Sequence, residues 1–140
     1  MTVIEIKSDI VSNDYKMMYD FFGLDCYTPK DLSQSLSSAP EEEEIIVNIA
    51  SNGGDVFAAS EIYSVLKNIN QNVVVNIQGL AASAASVIAM AGDTVNISPT
   101  AQLMIHKSMS SPQGNADDLE HEVQVLNVRA CYRSQPQPFV

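Results

Sequence analysis

The 140-residue sequence is poor in basic residues and in long apolar runs, and each shortage excludes a class of function. Only 7 Lys and Arg stand against 17 Asp and Glu, which gives a net charge of −10. A surface this acidic repels phosphate groups, so we exclude a nucleic-acid partner. The most apolar stretch is shorter than the roughly 20 residues that a membrane-spanning helix needs, so we predict no membrane segment.

Cysteine is also scarce. Cys26 and Cys131 lie far apart, and neither stands at a metal-type spacing from a histidine or from the other cysteine. We expect free thiols in a reducing cytoplasm, with no metal and no cofactor. The N-terminus lacks the basic, apolar and small-residue succession of a secretory signal. Hydrophobic residues make up 46% of the sequence, which favours one folded domain over residues 1–140.

The order of strand and helix patterns favours an α/β fold with a mostly parallel sheet. Runs of β-branched residues predict strands at Thr2–Ile6, Ile45–Ile49, Val73–Ile77, Thr94–Ile97 and Leu103–Ile105. Helices are predicted from Pro29 to about Ser37, from Val56 to Ile69, and from Ala116 onward. The segment Tyr15–Leu24 is rich in aromatic residues and Met. Core filling is the favoured interpretation for it, and a hydrophobic flap is the alternative.

The stretch Gly79–Gly92 consists almost entirely of small and apolar residues and directly follows a predicted strand. We predict that the chain turns at Gln78 and Gly79 and then forms a helix, with Ser83 in its first turn. Backbone N–H groups at a helix start stabilise a developing negative charge. Ser83 is therefore a candidate nucleophile, although a plain capping role fits the same position.

Three features of this sequence fall just after predicted strands: the Gly53-Gly54 pair, Ser83 and His106. In parallel sheets, sites form at the carboxyl ends of strands. Acyl transfer needs a nucleophile, a base and oxyanion donors, and these residues can supply all three. Ser83 would be the nucleophile and His106 the base. The N–H groups of Ala84 and of one of the two glycines would be the donors.

These residues lie in three segments that resemble the motifs of the Clp protease proteolytic subunit family: residues 51–55, residues 79–86 and residues 103–106. The resemblance covers roughly Val3 to Val128. It is strongest to phage-encoded, Clp-like head maturation proteases, which implies a prophage origin. Asn52 stands where the family usually has proline.

The resemblance implies a ClpP/crotonase-like fold of repeated β-β-α units, a Ser-His-Asp triad and stacked oligomeric rings. Ser83 would be the nucleophile, His106 the base, and Gly53 and Ala84 the oxyanion donors. The implied activity is that of a cytoplasmic serine endopeptidase acting on peptides or proteins. It would work alone or with a Clp-type ATPase, and phage capsid proteins are further expected partners.

The third triad residue is missing from the expected place. The family's aspartate lies several dozen residues beyond the histidine, and Asp93, Asp117 and Asp118 do not match its position. The tail 129–140 does not resemble the family's helix. The sequence therefore suggests a truncated or frame-shifted gene and a weak or inactive protease. A crotonase-type acyl-CoA enzyme and a non-catalytic assembly protein remain as alternatives.

Overall fold

The computed structural model describes residues 1–107 and 109–134 and divides the chain into two compact units. The first unit comprises Met1–Ile105, and the second begins at His106. The last six residues of the tail 129–140 lie outside the described residues. Along the chain the elements are β1 (Thr2–Ile6), β2 (Asp9–Ile10), a 3-10 turn (Asn13–Tyr15), α1 (Lys16–Phe21), β3 (Cys26–Tyr27), α2 (Pro29–Ser37), β4 (Ile45–Ser51), α3 (Val56–Asn68), β5 (Val73–Ala82), α4 (Ala84–Ala89), β6 (Thr94–Ile97), β7 (Gln102–Met104) and α5 (Ala116–Ser134).

Within the described residues, five parallel strands form the main sheet, with β5 at its centre. One side of β5 pairs with β4, and β1 lies beyond β4. The other side pairs first with β6 through Val74–Ile77 and then with β7 through Leu80–Ala82. This arrangement confirms the predicted α/β class and the parallel sheet. Because β5 is ten residues long, its first half pairs with β6 and its second half pairs with β7. The carboxyl ends of β4, β5 and β7 therefore lie at the same edge of the sheet.

One face of the sheet carries the hydrophobic core. Alternate residues of β1, β4 and β5 are buried there beneath α2, α3 and α4. They include Ile6, Ile49 and Ile77, each at most 1% exposed. This alternation follows from the two-residue side-chain period of a strand, so the apolar positions fix which face the helices cover.

The opposite face carries a row of three hydrogen-bonded amides that ends at a carboxylate. Asn48 donates to Glu5 at 2.8 Å, Asn76 donates to Asn48 at 3.1 Å, and Asn96 donates to Asn76 at 3.0 Å. These four residues are in register on β1, β4, β5 and β6. Hydrogen bonds from Lys7 and then from Asn48 lower the pKa of Glu5. The row ties four strands together by side chains as well as by backbone.

The predicted start of α2 is confirmed. Thr28 is the N-cap, and its hydroxyl accepts from the Asp31 N–H at 3.2 Å. The Asp31 carboxylate accepts in return from the Thr28 N–H at 2.9 Å, which completes a capping box. Lys16 of α1 donates to the same carboxylate. This contact links α1 to the beginning of α2.

The favoured interpretation of Tyr15–Leu24 as core filling is wrong. The segment forms part of the 3-10 turn and α1, and none of the residues in these two elements is buried. Met17 is 82% exposed and Phe21 is 83% exposed. The side chains of this six-residue helix contact the rest of the first unit through polar bonds, Lys16 to Asp31 and Tyr19 to Asp9, while its large apolar side chains remain exposed. In the described part of the chain, no helix has the length and hydropathy needed to cross a membrane.

The described residues of the second unit consist of a loop followed by α5. Asn115 caps this helix, because its side-chain oxygen accepts from the Asp118 N–H at 3.0 Å. The Asp118 carboxylate accepts from the Asn115 N–H, also at 3.0 Å. The predicted helix start at Ala116, with acidic residues in its first turn, is thus confirmed.

Candidate active site

Ser83 occupies a strained turn between β5 and α4. Its φ is 54° and its ψ is −119°, and among the described residues it is the only non-glycine with positive φ. Such a conformation costs about 1–3 kcal/mol and persists only where neighbouring structure enforces it. Here the Ser83 N–H donates to the Met104 carbonyl at 2.9 Å, which fastens the turn to β7.

The helix that follows is shorter than predicted. Residues 79–82 were predicted as turn and helix, but they continue β5, and α4 spans only Ala84–Ala89. Pairing with β7 extends the strand through these residues. The sequence did not indicate this extension, because a run of Gly and Ala has no hydrophobic alternation. Ser83 therefore precedes the helix instead of lying in its first turn. A helix of six residues has a weak dipole, so stabilisation of an anion depends on individual N–H groups.

Ser86 has the structural role that serines commonly have in such helices. It is 4% exposed, and its hydroxyl donates to the Ser83 carbonyl at 2.5 Å. The Ser86 N–H donates to the same carbonyl at 3.0 Å. A serine inside a helix commonly bonds back in this way to a carbonyl one turn earlier. These two bonds help to hold the unusual backbone of Ser83.

The Gly53-Gly54 turn lies directly against Ser83. A Cβ placed on Gly53 would lie 2.6 Å from the Ala82 oxygen, 2.9 Å from the Ala84 nitrogen and 3.0 Å from Ser83 Cβ. Gly53 has a φ of +100°, which side chains rarely adopt. The structure thus brings Gly53, Ser83 and Ala84 together, as the sequence predicts for residues that follow neighbouring parallel strands.

The Gly53 peptide is held by Ser51 and Ile10. The Gly53 N–H donates to the Ser51 hydroxyl at 3.1 Å, and that hydroxyl donates to the Ser8 carbonyl at 2.7 Å. The Gly53 carbonyl accepts from the Ile10 N–H at 2.9 Å. An oxyanion that uses the Gly53 N–H must therefore share it with Ser51 or displace Ser51. Sequence reasoning missed Ser51. The available signal was a serine two residues before a glycine turn, a spacing typical of local hydroxyl-to-backbone bonds.

His106 follows β7 by two residues and belongs to the second unit. Its Nδ1 lies 2.6 Å from the Lys107 carbonyl oxygen. A carbonyl only accepts, so Nδ1 is the donor in this contact, and the tautomer of a neutral imidazole that fits it carries its proton on Nδ1. This is the tautomer that a general base requires. The nucleophile and donor candidates lie in the first unit, and the base candidate lies in the second.

The three aspartates that do not match the family's position for the third triad residue lie at the starts of secondary-structure elements. Asp93 accepts from the Val73 N–H at 2.8 Å, at the start of β5. Asp118 caps α5 through Asn115. Asp117 lies in the first turn of the same helix. In the described residues, no group of three or more His, Cys, Asp or Glu is placed to hold a metal ion.

Comparison with known proteins gives one consistent family. The Clp protease family model matches residues 32–130. An ATP-dependent Clp protease proteolytic subunit of Bacteroides fragilis is 36% identical over 111 residues, covering 74% of this chain and 54% of that protein. The protein of the same name from Deinococcus radiodurans is 36% identical over 97 residues, covering 67% of this chain and 48% of that protein.

The chain thus spans about half the length of the curated relatives it matches. The matched region nevertheless contains every candidate residue of the site, from the Gly53-Gly54 turn through Ser83 to His106. The match also covers more than half of the present chain. The chain belongs to the Clp protease family.

Proposed function

We propose that this chain is a serine endopeptidase of the Clp type. Ser83 is the nucleophile, His106 is the general base, and the N–H groups of Gly53 and Ala84 stabilise the oxyanion. The observation that carries the proposal is the strained backbone of Ser83 at a strand-to-helix turn, packed against Gly53. Such turns expose a nucleophilic serine at the edge of a parallel sheet.

In the proposed reaction, the Ser83 hydroxyl oxygen attacks the scissile carbonyl carbon while His106 accepts the hydroxyl proton. The carbonyl oxygen becomes an oxyanion facing the two N–H groups. His106 then gives the proton to the leaving amine, and an acyl-enzyme remains on Ser83. Water then attacks the acyl carbon while His106 accepts its proton. His106 returns that proton to the Ser83 oxygen as the acyl group leaves.

The Lys107 carbonyl takes the orienting position at His106 Nδ1 in this scheme. It fixes the tautomer as a triad carboxylate does. It carries no full charge, however, so it stabilises the imidazolium less. In a well-studied triad, spoiling the carboxylate lowers turnover about 10⁴-fold. We therefore expect turnover by this chain alone to be slow, and we assign the third position to none of its aspartates.

The partners are proposed by analogy with the relatives, whose names describe a proteolytic subunit of an ATP-dependent protease. We propose a cytoplasmic homo-oligomeric ring that cleaves peptides or unfolded proteins, with a Clp-type ATPase as partner. A prophage origin, with capsid proteins as substrates, is the narrower form of this proposal. It depends on the resemblance to head maturation proteases.

A fluorophosphonate probe tests the nucleophile, because it reacts with activated serines. We expect mass spectrometry to place the label on Ser83. Ser83→Ala should abolish labelling, and no label should appear on Ser86. Ser64→Ala, at an exposed position of α3, should retain the labelling of Ser83. Labelling that survives Ser83→Ala would refute the assignment. Absence of any label would favour the non-catalytic assembly protein or the acyl-CoA enzyme, neither of which needs an activated serine.

A further inference from the structure

Two adjoining cavities in the first unit lie beside the proposed reaction site. They share Asp9, Tyr19 and Asn52 as lining residues. The larger has a volume of about 540 Å³ and is also lined by Tyr15 and by Gly53. The smaller has a volume of about 280 Å³ and extends toward Asp25. Together they are large enough for a side chain of an extended peptide.

The cavities carry negative charge. The carboxylates among their lining residues are Asp9, Asp25 and Asp55, and Lys7 is the one basic lining residue. Lys7 is paired with Glu5, and Asp55 accepts from the Ala58 N–H at the start of α3. Asp9 and Asp25 are exposed and are left to face the cavities. The electrostatic balance therefore favours a cationic occupant.

Aromatic rings form part of the same wall. The Tyr19 hydroxyl donates to the Asp9 carboxylate at 3.3 Å, which holds the phenol beside the charge. Partial burial and then the neighbouring Asp9 raise the pKa of Tyr19, so the phenol remains a neutral donor. Tyr faces attract ammonium and guanidinium groups, and they also pack against the methylene chains of Lys and Arg.

The larger cavity reaches the reaction site through Gly53. That residue lines the cavity, and it also lies against Ser83 and Ala84. Asp9, Tyr15, Tyr19 and Asp25 all precede residue 32, where the match to the family model begins. The cavity wall opposite the glycine turn is thus supplied by a segment outside the matched family region.

We propose that these cavities bind the side chain of a lysine or arginine in a peptide substrate, so that the chain selects basic residues near the scissile bond. The proposal rests on the proposed endopeptidase function and names its substrate class. Asp9 is the specificity-determining carboxylate, Tyr15 and Tyr19 flank the aliphatic part of the bound side chain, and Asp25 adds charge at the far end.

Peptide binding to the full chain carrying Ser83→Ala tests the proposal without turnover. Three fluorescent hexapeptides that differ only in a central Lys, Met or Glu would be compared by anisotropy. We expect the Lys peptide to bind about fivefold more tightly than the Met peptide, and the Glu peptide to bind most weakly. Asp9→Asn should remove the Lys preference. Asp14→Asn, an equal charge change at a residue that lines neither cavity, should keep it.

Hydrolysis by the chain with Ser83 intact separates this proposal from the function on which it rests. A Lys preference in binding with no hydrolysis of any peptide would support the cationic site and contradict the endopeptidase. Equal kcat/KM for the Lys and Met peptides, or equal binding of both, would overturn the cationic site and leave the endopeptidase standing. A Lys preference that survives in Asp9→Asn would likewise overturn the role given to Asp9.

Discussion

Gly53 is held in a backbone conformation and a space that suit glycine alone. Its φ is +100°, and the nearest neighbours of a Cβ placed on it are atoms of the turn around Ser83, two of them backbone. Backbone atoms in a packed sheet edge cannot move aside as the end of a flexible side chain can. A side chain at this position would therefore destabilise the first unit and would also distort the proposed oxyanion site.

We predict that Gly53→Ala destabilises the protein and abolishes fluorophosphonate labelling. Gly23→Ala is the matched control, because Gly23 also has positive φ, +65°, but a Cβ added there would have nothing within 4 Å. Gly23→Ala should cost only the backbone strain, about 1–2 kcal/mol. Gly53→Ala should cost about 1–3 kcal/mol more, because of overpacking. Urea unfolding measures both. Equal losses in the two variants would show that the Gly53 contacts are relaxed in solution.

At the scale of elements, α1 is tied to α2 through one carboxylate. Burial raises the pKa of Asp31, but hydrogen bonds from Lys16 and from Thr28 lower it by more, so the net pKa lies below its ordinary value of 3.8. The contact has a function in our proposal, because α1 and the preceding 3-10 turn carry the tyrosines beside Asp9. Loss of the Lys16 contact would leave that wall of the cavity held by fewer bonds, among them Tyr19 to Asp9 and Lys30 to Asn13.

We predict that Asp31→Asn costs about 1–2 kcal/mol of unfolding free energy at neutral pH, since hydrogen bonds to a charged group are lost. A lowered folded-state pKa stabilises the fold above the unfolded-state value. That contribution disappears as the pH falls through the folded-state pKa. The difference between Asp31→Asn and the unmutated chain should therefore shrink below about pH 4. Urea unfolding across this range measures it. Glu42→Gln, the same charge change at an exposed residue, should show little loss, and a pH-independent difference for Asp31→Asn would contradict the mechanism.

The sequence predicts elements well where the signal is local. Thr28, Pro29 and Asp31 are a complete helix start in four residues, and the structure confirms it. The end of β5 was missed, because Gly79–Ala82 becomes strand through pairing with distant segments: Ser51 of β4 and β7, which lies some 20 residues further along the chain. The exposure of α1 was missed for a related reason. Aromatic and Met residues suit a core or a surface, and only the tertiary arrangement decides between them.

The candidate site also combines features that the sequence predicts with features that depend on distant contacts. The sequence predicts that Gly53 and Ser83 lie at one sheet edge, because both follow parallel strands. It does not predict the positive φ of Ser83, which depends on the hydrogen bond to Met104 and on close packing with Gly53. It also does not predict that Ser51 holds the Gly53 N–H. Contacts between residues distant in sequence decide both features.

At the scale of the whole molecule, net charge and exposed apolar residues act in opposite directions. Each copy carries a net charge of −10, which disfavours association at low ionic strength. Along α5, Leu119 and Val123 are four residues apart, so they lie on one face and form an exposed apolar stripe. Burial of such residues between copies would favour assembly. Salt screens the repulsion and leaves the apolar contribution, so ionic strength determines which effect wins.

We predict that the chain self-associates at micromolar concentration and that added salt increases the larger species. Raising the ionic strength from about 0.01 M to about 1 M shortens the screening length from about 30 Å to about 3 Å, which removes most repulsion between copies. Val123→Glu should shift the equilibrium toward monomer, because it places a charge in the stripe. Gln124→Glu makes the same change in net charge at the neighbouring exposed position and should have a much smaller effect. Sedimentation velocity measures both variants. A monomer at every salt concentration would contradict the ring that we propose, and equal effects of the two variants would place the interface away from this stripe of α5.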